Sequence, residues 1–165
     1  MQTTPHAVPD GIGVHKISGR GATSFRDYVL LSKPGITRLV TIAAGVGFAV
    51  SAAWAGQDAG SLALAFVACL LGTALASAGA NAMNQVIEIH RDAKMERTAN
   101  RPLPAGRRAP TSAWVFAIAC AISGPLVIGL LTTAAAGVVA ALTIVLYVCV
   151  YTPLKPVSPI STYVG

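Results

Sequence analysis

Leu62-Ala-Leu-Ala-Phe66-Val-Ala-Cys69-Leu-Leu-Gly72-Thr-Ala-Leu-Ala76-Ser-Ala-Gly79-Ala-Asn81-Ala-Met-Asn84 is an apolar run, and no Lys, Arg, Asp or Glu occurs anywhere from Ala59 to Ile87. About 20 such residues cross a hydrocarbon core about 30 Å thick. The same freedom from charge recurs from Leu39 to Gln57 and from Ala109 to Leu154. A soluble domain of this size would carry charge on every outward helix face. With 11% charged residues and a mean hydropathy of +0.65, this chain has too little charge to do so. The composition reads as an integral membrane protein. Its fold class is all-α, a polytopic transmembrane bundle, because helix is the only open-chain way to satisfy backbone groups in lipid.

Four spans are expected, at about 36–55, 62–84, 112–130 and 134–150. The last two form a hairpin through Thr132-Thr133, and Gly124-Pro125 is expected to kink the third. Gly72, Ala74, Ala76, Ala78, Gly79, Ala80 and Ala82 make the second span small-sided, which suits close helix packing. Residues 1–25, with Pro5, Pro9, Gly11, Gly13, Gly19 and Gly21, read as a flexible tail without the apolar core of a signal peptide. Residues 26–165 form the membrane domain, and 85–111 its large polar loop. Cys69, Cys120 and Cys149 lie in separate spans without metal-ligand spacing and read as small apolar residues.

Charge sets the orientation. Lys16, Arg20, Arg26, Lys33 and Arg38 precede or open the first span, six cations lie between Arg91 and Arg108, and Lys155 follows the fourth span. All twelve Lys and Arg thus fall on one side of a four-span arrangement, which the positive-inside rule makes cytoplasmic. The chain is placed in a bacterial-type inner membrane, with its N-terminus and polar loop in the cytoplasm. The net charge of +6 is therefore a topology signal. With 6% aromatic residues and cations confined to helix ends, the pattern argues against nucleic-acid binding.

Asn84, Glu88 and Asp92 stand four residues apart where the second apolar run ends. On a continuous helix they form a slowly drifting stripe about 12 Å long. One Mg²⁺, with oxygen ligands at about 2.1 Å, does not reach all three directly. Glu88 and Asp92 are the metal ligands expected, holding one ion together or one each of a pair, while Asn84 orients a water or a phosphate oxygen. Immediately downstream come Lys94, Arg97 and Arg101, suited to a diphosphate. Acids for a hard cation beside bases for phosphate, at a membrane edge, point to diphosphate chemistry on a lipid-tailed substrate. A solvated helix end accounts for the same residues more simply, and the basic loop alternatively anchors anionic headgroups. Glu88–Asp92 is, however, a like-charge pair that costs a few tenths of a kcal/mol without a cation. His90 points about 200° away from Glu88 and is not counted as a ligand.

The stretch Asn84-x-x-x-Glu88-x-x-x-Asp92-x-x-Met95-x-Arg97-Thr98-x-x-Arg101-Pro102-Leu103-x-x-Gly106 resembles the first signature of the intramembrane UbiA-type prenyltransferases. Its Met95–Leu103 portion is similar to the heme-farnesylating branch, the protoheme IX farnesyltransferases. Tyr28-Val-Leu-Leu-Ser-Lys33-Pro34-Gly-Ile-Thr37 resembles that family's lead-in to its first helix. Tyr151-Thr152-Pro153-Leu154-Lys155, with Thr162 and Gly165, resembles the loop after its fourth.

The resemblance implies Mg²⁺-dependent transfer of a farnesyl group from farnesyl diphosphate to heme b, giving heme O for terminal oxidase assembly. Asn84, Glu88 and Asp92 would be catalytic. Lys94, Arg97, Arg101 and Lys33 would bind the diphosphate. Heme b is substrate rather than resident cofactor, and a heme-handling or oxidase-assembly protein is an implied partner beside the bilayer. Glu88 replaces the Asp common in the family and keeps its charge and oxygens. Pro156 and Val157 stand where the family continues with bases, which puts any anion contact there in doubt. The family fold has nine helices and a second acidic motif, so this chain resembles its N-terminal half and is expected to be inactive alone. Two other readings remain: an aromatic, quinone-precursor or chlorophyll-precursor acceptor within the same superfamily, and a non-catalytic membrane fragment.

Overall fold

The computed structural model describes residues 25–55 and 59–155. The expected tail before Phe25, the first interhelical turn at 56–58, and Thr162 and Gly165 lie outside the described residues. Among those described every regular element is a helix, with no strand. A short helix α1 (Phe25–Leu31) precedes α2 (Pro34–Ala55) and α3 (Ala59–Ile87). Two single turns, α4 (Ile89–Asp92) and α5 (Glu96–Ala99), follow. Then come α6 (Pro110–Leu131), α7 (Ala134–Val145), a π-helical turn (Leu146–Tyr151) and α8 (Thr152–Leu154). Four of these segments, Pro34–Trp54, Gly60–Ile87, Pro110–Leu131 and Ala134–Leu154, are long and apolar enough to cross a membrane.

Local chemistry sets the helix limits. Pro34 and Pro110 open α2 and α6, where a missing N–H costs nothing and φ is already helical. Between α6 and α7, the Thr132 hydroxyl donates to the Ile128 carbonyl at 2.6 Å, and Thr133 caps α7 by accepting from the Ala136 amide. The hairpin turns at the two threonines. Pro125 lies inside α6, whose helical backbone runs on through it. At 29 residues, α3 is roughly 43 Å long and overshoots a hydrocarbon core of about 30 Å.

Packing inverts the order of a soluble protein. Leu39, Ile42, Val46 and Val50 of α2, Leu71 of α3, Ile122 and Leu126 of α6, and Val138 and Leu142 of α7 face outward. The interior holds small residues, Ala76, Ala78, Ala82, Ala113 and Ala117, and polar ones, Asn81, Asn84, Gln85, Glu88 and Asp92. Lipid is as apolar as leucine, so the bundle associates by close backbone approach and buried polar contacts. α3 and α6 make the most extensive contact. A Cβ on Gly124 would sit 2.5 Å from the Ala76 amide nitrogen, and one on Gly79 2.5 Å from that of Ala121. The small-sided face of α3 is thus the seam against α6. An open groove of about 480 Å³ runs between α2, α3 and α7, walled by Val40, Ala44, Ala140 and Ile144 and ending near Asn81 and Tyr147.

Candidate active site

Every second crossing returns the chain to the end of the bundle from which it started. The α1–α2 turn, the end of α3, the loop 88–109 and the end of α7–α8 therefore converge. The expected stripe is not a continuous helix. The chain turns at Glu88, whose ψ of 8° leaves the helical region, although the Glu88 amide still donates to the Asn84 carbonyl at 3.0 Å. Asn84, Glu88 and Asp92 are all buried.

A buried carboxylate is costly unless paired and hydrogen-bonded. Both acids meet that demand. Arg101 donates to Asp92 Oδ2 at 2.6 Å, and Lys155 Nζ donates to both oxygens of Glu88, at 3.2 and 3.3 Å. Asn84 is engaged on both sides of its amide. Its Oδ1 accepts from Lys33 Nζ at 2.8 Å, and its Nδ2 donates to the Thr152 hydroxyl at 3.2 Å. Thr152, fully buried, passes its own proton to the Tyr147 carbonyl at 2.9 Å. That carbonyl lies in the π-helical turn, whose irregular hydrogen bonding frees backbone groups for such use.

The loop after Asp92 is folded onto the site by the residues of the signature. Thr98, buried, donates its hydroxyl to the Asp92 carbonyl at 2.7 Å. Pro102 and Leu103 are buried, Leu103 in the core with Val86 and Ala113. Gly106 has a φ of 69°, a left-handed turn that glycine takes without strain. Arg108 is buried, lies 3.9 Å over the Tyr28 ring and pairs with Asp27 at 3.7 Å, tying α1 to the start of α6. That arginine is a structural cation.

The structure thus brings together Lys33, Asn84, Glu88, Asp92 and Arg101 of the expected set. Lys94 and Arg97 are exposed, and their side chains make no hydrogen bond or ion pair among the described residues. Lys155, Gln85 and Thr152 carried no role in the sequence reading. For Lys155 and Thr152 a signal existed in Tyr151–Lys155. For Gln85 there was none, since it lies off the Asn84–Glu88–Asp92 spacing. No cluster of three or more His, Cys, Asp or Glu occurs among the described residues. Glu88 and Asp92 are the carboxylates that would hold a Mg²⁺, an ion that keeps several waters and binds through one or two carboxylates plus substrate phosphates.

Burial, reinforced by the Arg101 guanidinium, pushes the Lys33 amine down to about 8, against an opposing pull from Glu88. The unfolded amine titrates near 10.5, so between pH 8 and 10.5 the unfolded chain binds more protons than the folded one. Stability in detergent should therefore rise as pH climbs through that window. Lys33→Met should flatten the rise. Denaturant midpoints at pH 7.5, 9 and 10 test this, and equal slopes in both proteins would refute it.

The description of the family model that matches residues 40–165 is "UbiA prenyltransferase family". The chain is 38% identical to the mitochondrial protoheme IX farnesyltransferase of Arabidopsis thaliana, over 92% of its own length and 34% of that protein. It is 39% identical to the protoheme IX farnesyltransferase of Koribacter versatilis, over 87% of the chain and 46% of the relative. With that of Salinibacter ruber the figure is 43%, over 84% and 47%. The chain spans less than half the length of these relatives. No solved structure matches it.

Proposed function

The chain belongs to the UbiA prenyltransferase family, and on that premise we propose that the protein carrying this segment transfers a farnesyl group from farnesyl diphosphate to heme b. The products are heme O and pyrophosphate. The observation that carries the reading is the pair of buried carboxylates, each held by a base, at the end of a membrane bundle beside an apolar groove. The groove suits an isoprenoid tail and the charged end a diphosphate. The names of the relatives supply the acceptor. The site faces the cytoplasm by the positive-inside rule, in an inner-membrane protein.

Glu88 and Asp92 would hold Mg²⁺, which supplies Lewis-acid neutralisation of the departing diphosphate. With Glu88 and Asp92 serving as ligands, Lys155 and Arg101 would be free to donate to phosphate oxygens. Arg101 suits them through its planar fork, and Lys33 adds a third cation. The exposed Lys94 and Arg97 serve the approach of the anion. The allylic C–O bond breaks with its electron pair leaving on pyrophosphate, and the heme vinyl group supplies the pair for the new C–C bond. Water then quenches the resulting cation and gives up a proton. Asn84 keeps Lys33 and Thr152 in register around this centre. The groove's apolar walls keep bulk water from the allylic cation before capture.

Pyrophosphate binding to a full-length protein carrying this segment tests the metal role. Affinity should be at least about tenfold higher with Mg²⁺ than with EDTA, the value of one added charge-assisted contact. Equal affinities would leave the non-catalytic membrane fragment as the better reading. Heme spectra of membranes expressing that protein test the acceptor. Absence of heme O together with a prenylated aromatic product would assign an aromatic or quinone-precursor acceptor instead.

A further inference from the structure

The turn between α1 and α2 contains an arrangement that sequence spacing does not reveal. Lys33 has a φ of 48°, the one left-handed non-glycine residue among those described. Helices commonly end on such a residue, but glycine is the usual occupant because it has no Cβ to clash. Pro34 follows and disfavours the right-handed alternative for Lys33. A lysine persists at this position only if its neighbours over-determine the backbone.

Those neighbours can be enumerated. A helix leaves its last four carbonyls without helical partners. In α1 the Tyr28 carbonyl accepts from the Ser32 amide, and that of Val29 from the Ser32 hydroxyl at 2.7 Å. The Leu30 carbonyl accepts from the Lys33 amide and, at 3.3 Å, from Gln85 Nε2. The Leu31 carbonyl accepts from Gln85 Nε2 at 2.7 Å. Beyond the helix, the Ser32 carbonyl accepts from the Thr37 hydroxyl at 2.6 Å, and that of Lys33 from the Ile36 and Thr37 amides. Gln85 and Thr37 are two side chains that reach this turn from outside α1 and its cap. Gln85 is almost wholly buried, and its Oε1 is buried without a hydrogen-bond partner among the described residues. Methionine would fill the same volume without that desolvation cost. The amide is therefore accounted for by its two carbonyl contacts.

We propose that Gln85 is a positioning residue for the anion site: with Thr37, it fixes the end of α1 so that Lys33 keeps its left-handed backbone and directs its amine to Asn84. This rests on the reading of Lys33 as a diphosphate ligand. Gln85 and Asn84 are sequence neighbours on α3, so one helix turn holds the Leu30 and Leu31 carbonyls that lead into the lysine with one residue and the lysine's amine with the other.

The test uses the full-length protein and Mg²⁺-pyrophosphate as probe. Gln85→Met should weaken binding about tenfold, matching Lys33→Met, as expected for loss of one contact to a charged group. In the Lys33→Met background, Gln85→Met should cost less than about twofold, because the lysine through which it acts is gone. Thr37→Val, half-buried and isosteric, should give the same coupling without disturbing the core. A loss from Gln85→Met that persists undiminished in Lys33→Met, or no loss at all, overturns the proposal. Hydrogen exchange supplies a readout independent of binding. Gln85→Met should accelerate exchange at residues 31–37 whether or not pyrophosphate binds. If the wild-type protein fails to bind pyrophosphate, the diphosphate reading fails while this exchange result still decides the clamp; unchanged exchange refutes the clamp itself.

Discussion

Glu88→Gln and Asp92→Asn, made separately in a full-length protein carrying this segment, are each expected to reduce Mg²⁺-dependent farnesyl transfer by about 10³-fold. Each substitution keeps the side-chain shape and one oxygen but removes the negative charge that would hold the metal. Lewis-acid stabilisation is worth several kcal/mol, and about 4 kcal/mol corresponds to that factor. The neutral variants also leave Lys155 or Arg101 without its counter-charge. For Asp92 the partner arginine is itself only partly exposed, so some loss of fold is expected there. Glu88→Gln is the cleaner probe, because the Lys155 side chain is about half exposed and can turn to water. Single-turnover assays with heme b and farnesyl diphosphate across a Mg²⁺ series separate the two effects. Wild-type rates in both variants would remove the acids from the mechanism.

Gly124→Ala should cost about 1–3 kcal/mol of bundle stability, the usual penalty for forcing an extra methyl into a packed seam. Its Cβ would lie 2.5 Å from the Ala76 amide nitrogen and 2.7 Å from the Gly72 carbonyl, so backbone, not a flexible side-chain end, has to move. Separation of α3 from α6 would also shift the end of α3, where Asn84 and Gln85 sit, and activity should fall with stability. Gly35→Ala is the control. A Cβ there meets nothing within 4 Å, and its effect should stay within about 0.5 kcal/mol. Reversible unfolding in mixed micelles measures both. Equal midpoints for the two variants would show that the seam tolerates separation.

Much of the fold is legible in the chain because lipid imposes a simple rule: charge is excluded from spans and helix is obligatory. The four apolar runs become the four long helices, and the small residues of α3 become its contact with α6. The helices extend beyond the expected spans because hydropathy marks where lipid ends, not where helical hydrogen bonding ends. α3 runs to Ile87 and α7 continues through the π-helical turn into α8. The break at Glu88 was not legible either, since four-residue spacing presumes the continuity that this backbone lacks.

By itself, the sequence determined that this segment holds four apolar helical runs with all twelve Lys and Arg and five of the six acids on one side of them, since hydropathy and charge are properties of short segments. Which base meets which acid was decided by tertiary structure alone. Lys155 reaches Glu88 across 67 residues and Lys33 reaches Asn84 across 51, distances over which no helical period carries information. Arg108 has the charge of a ligand, yet the packing of α1 makes it a structural partner of Asp27 and Tyr28. Conversely Gln85, uncharged and off the stripe, acquires a task only because α1 ends beside it. Charge is written in the residue, but its partner is set by where the bundle folds the chain back.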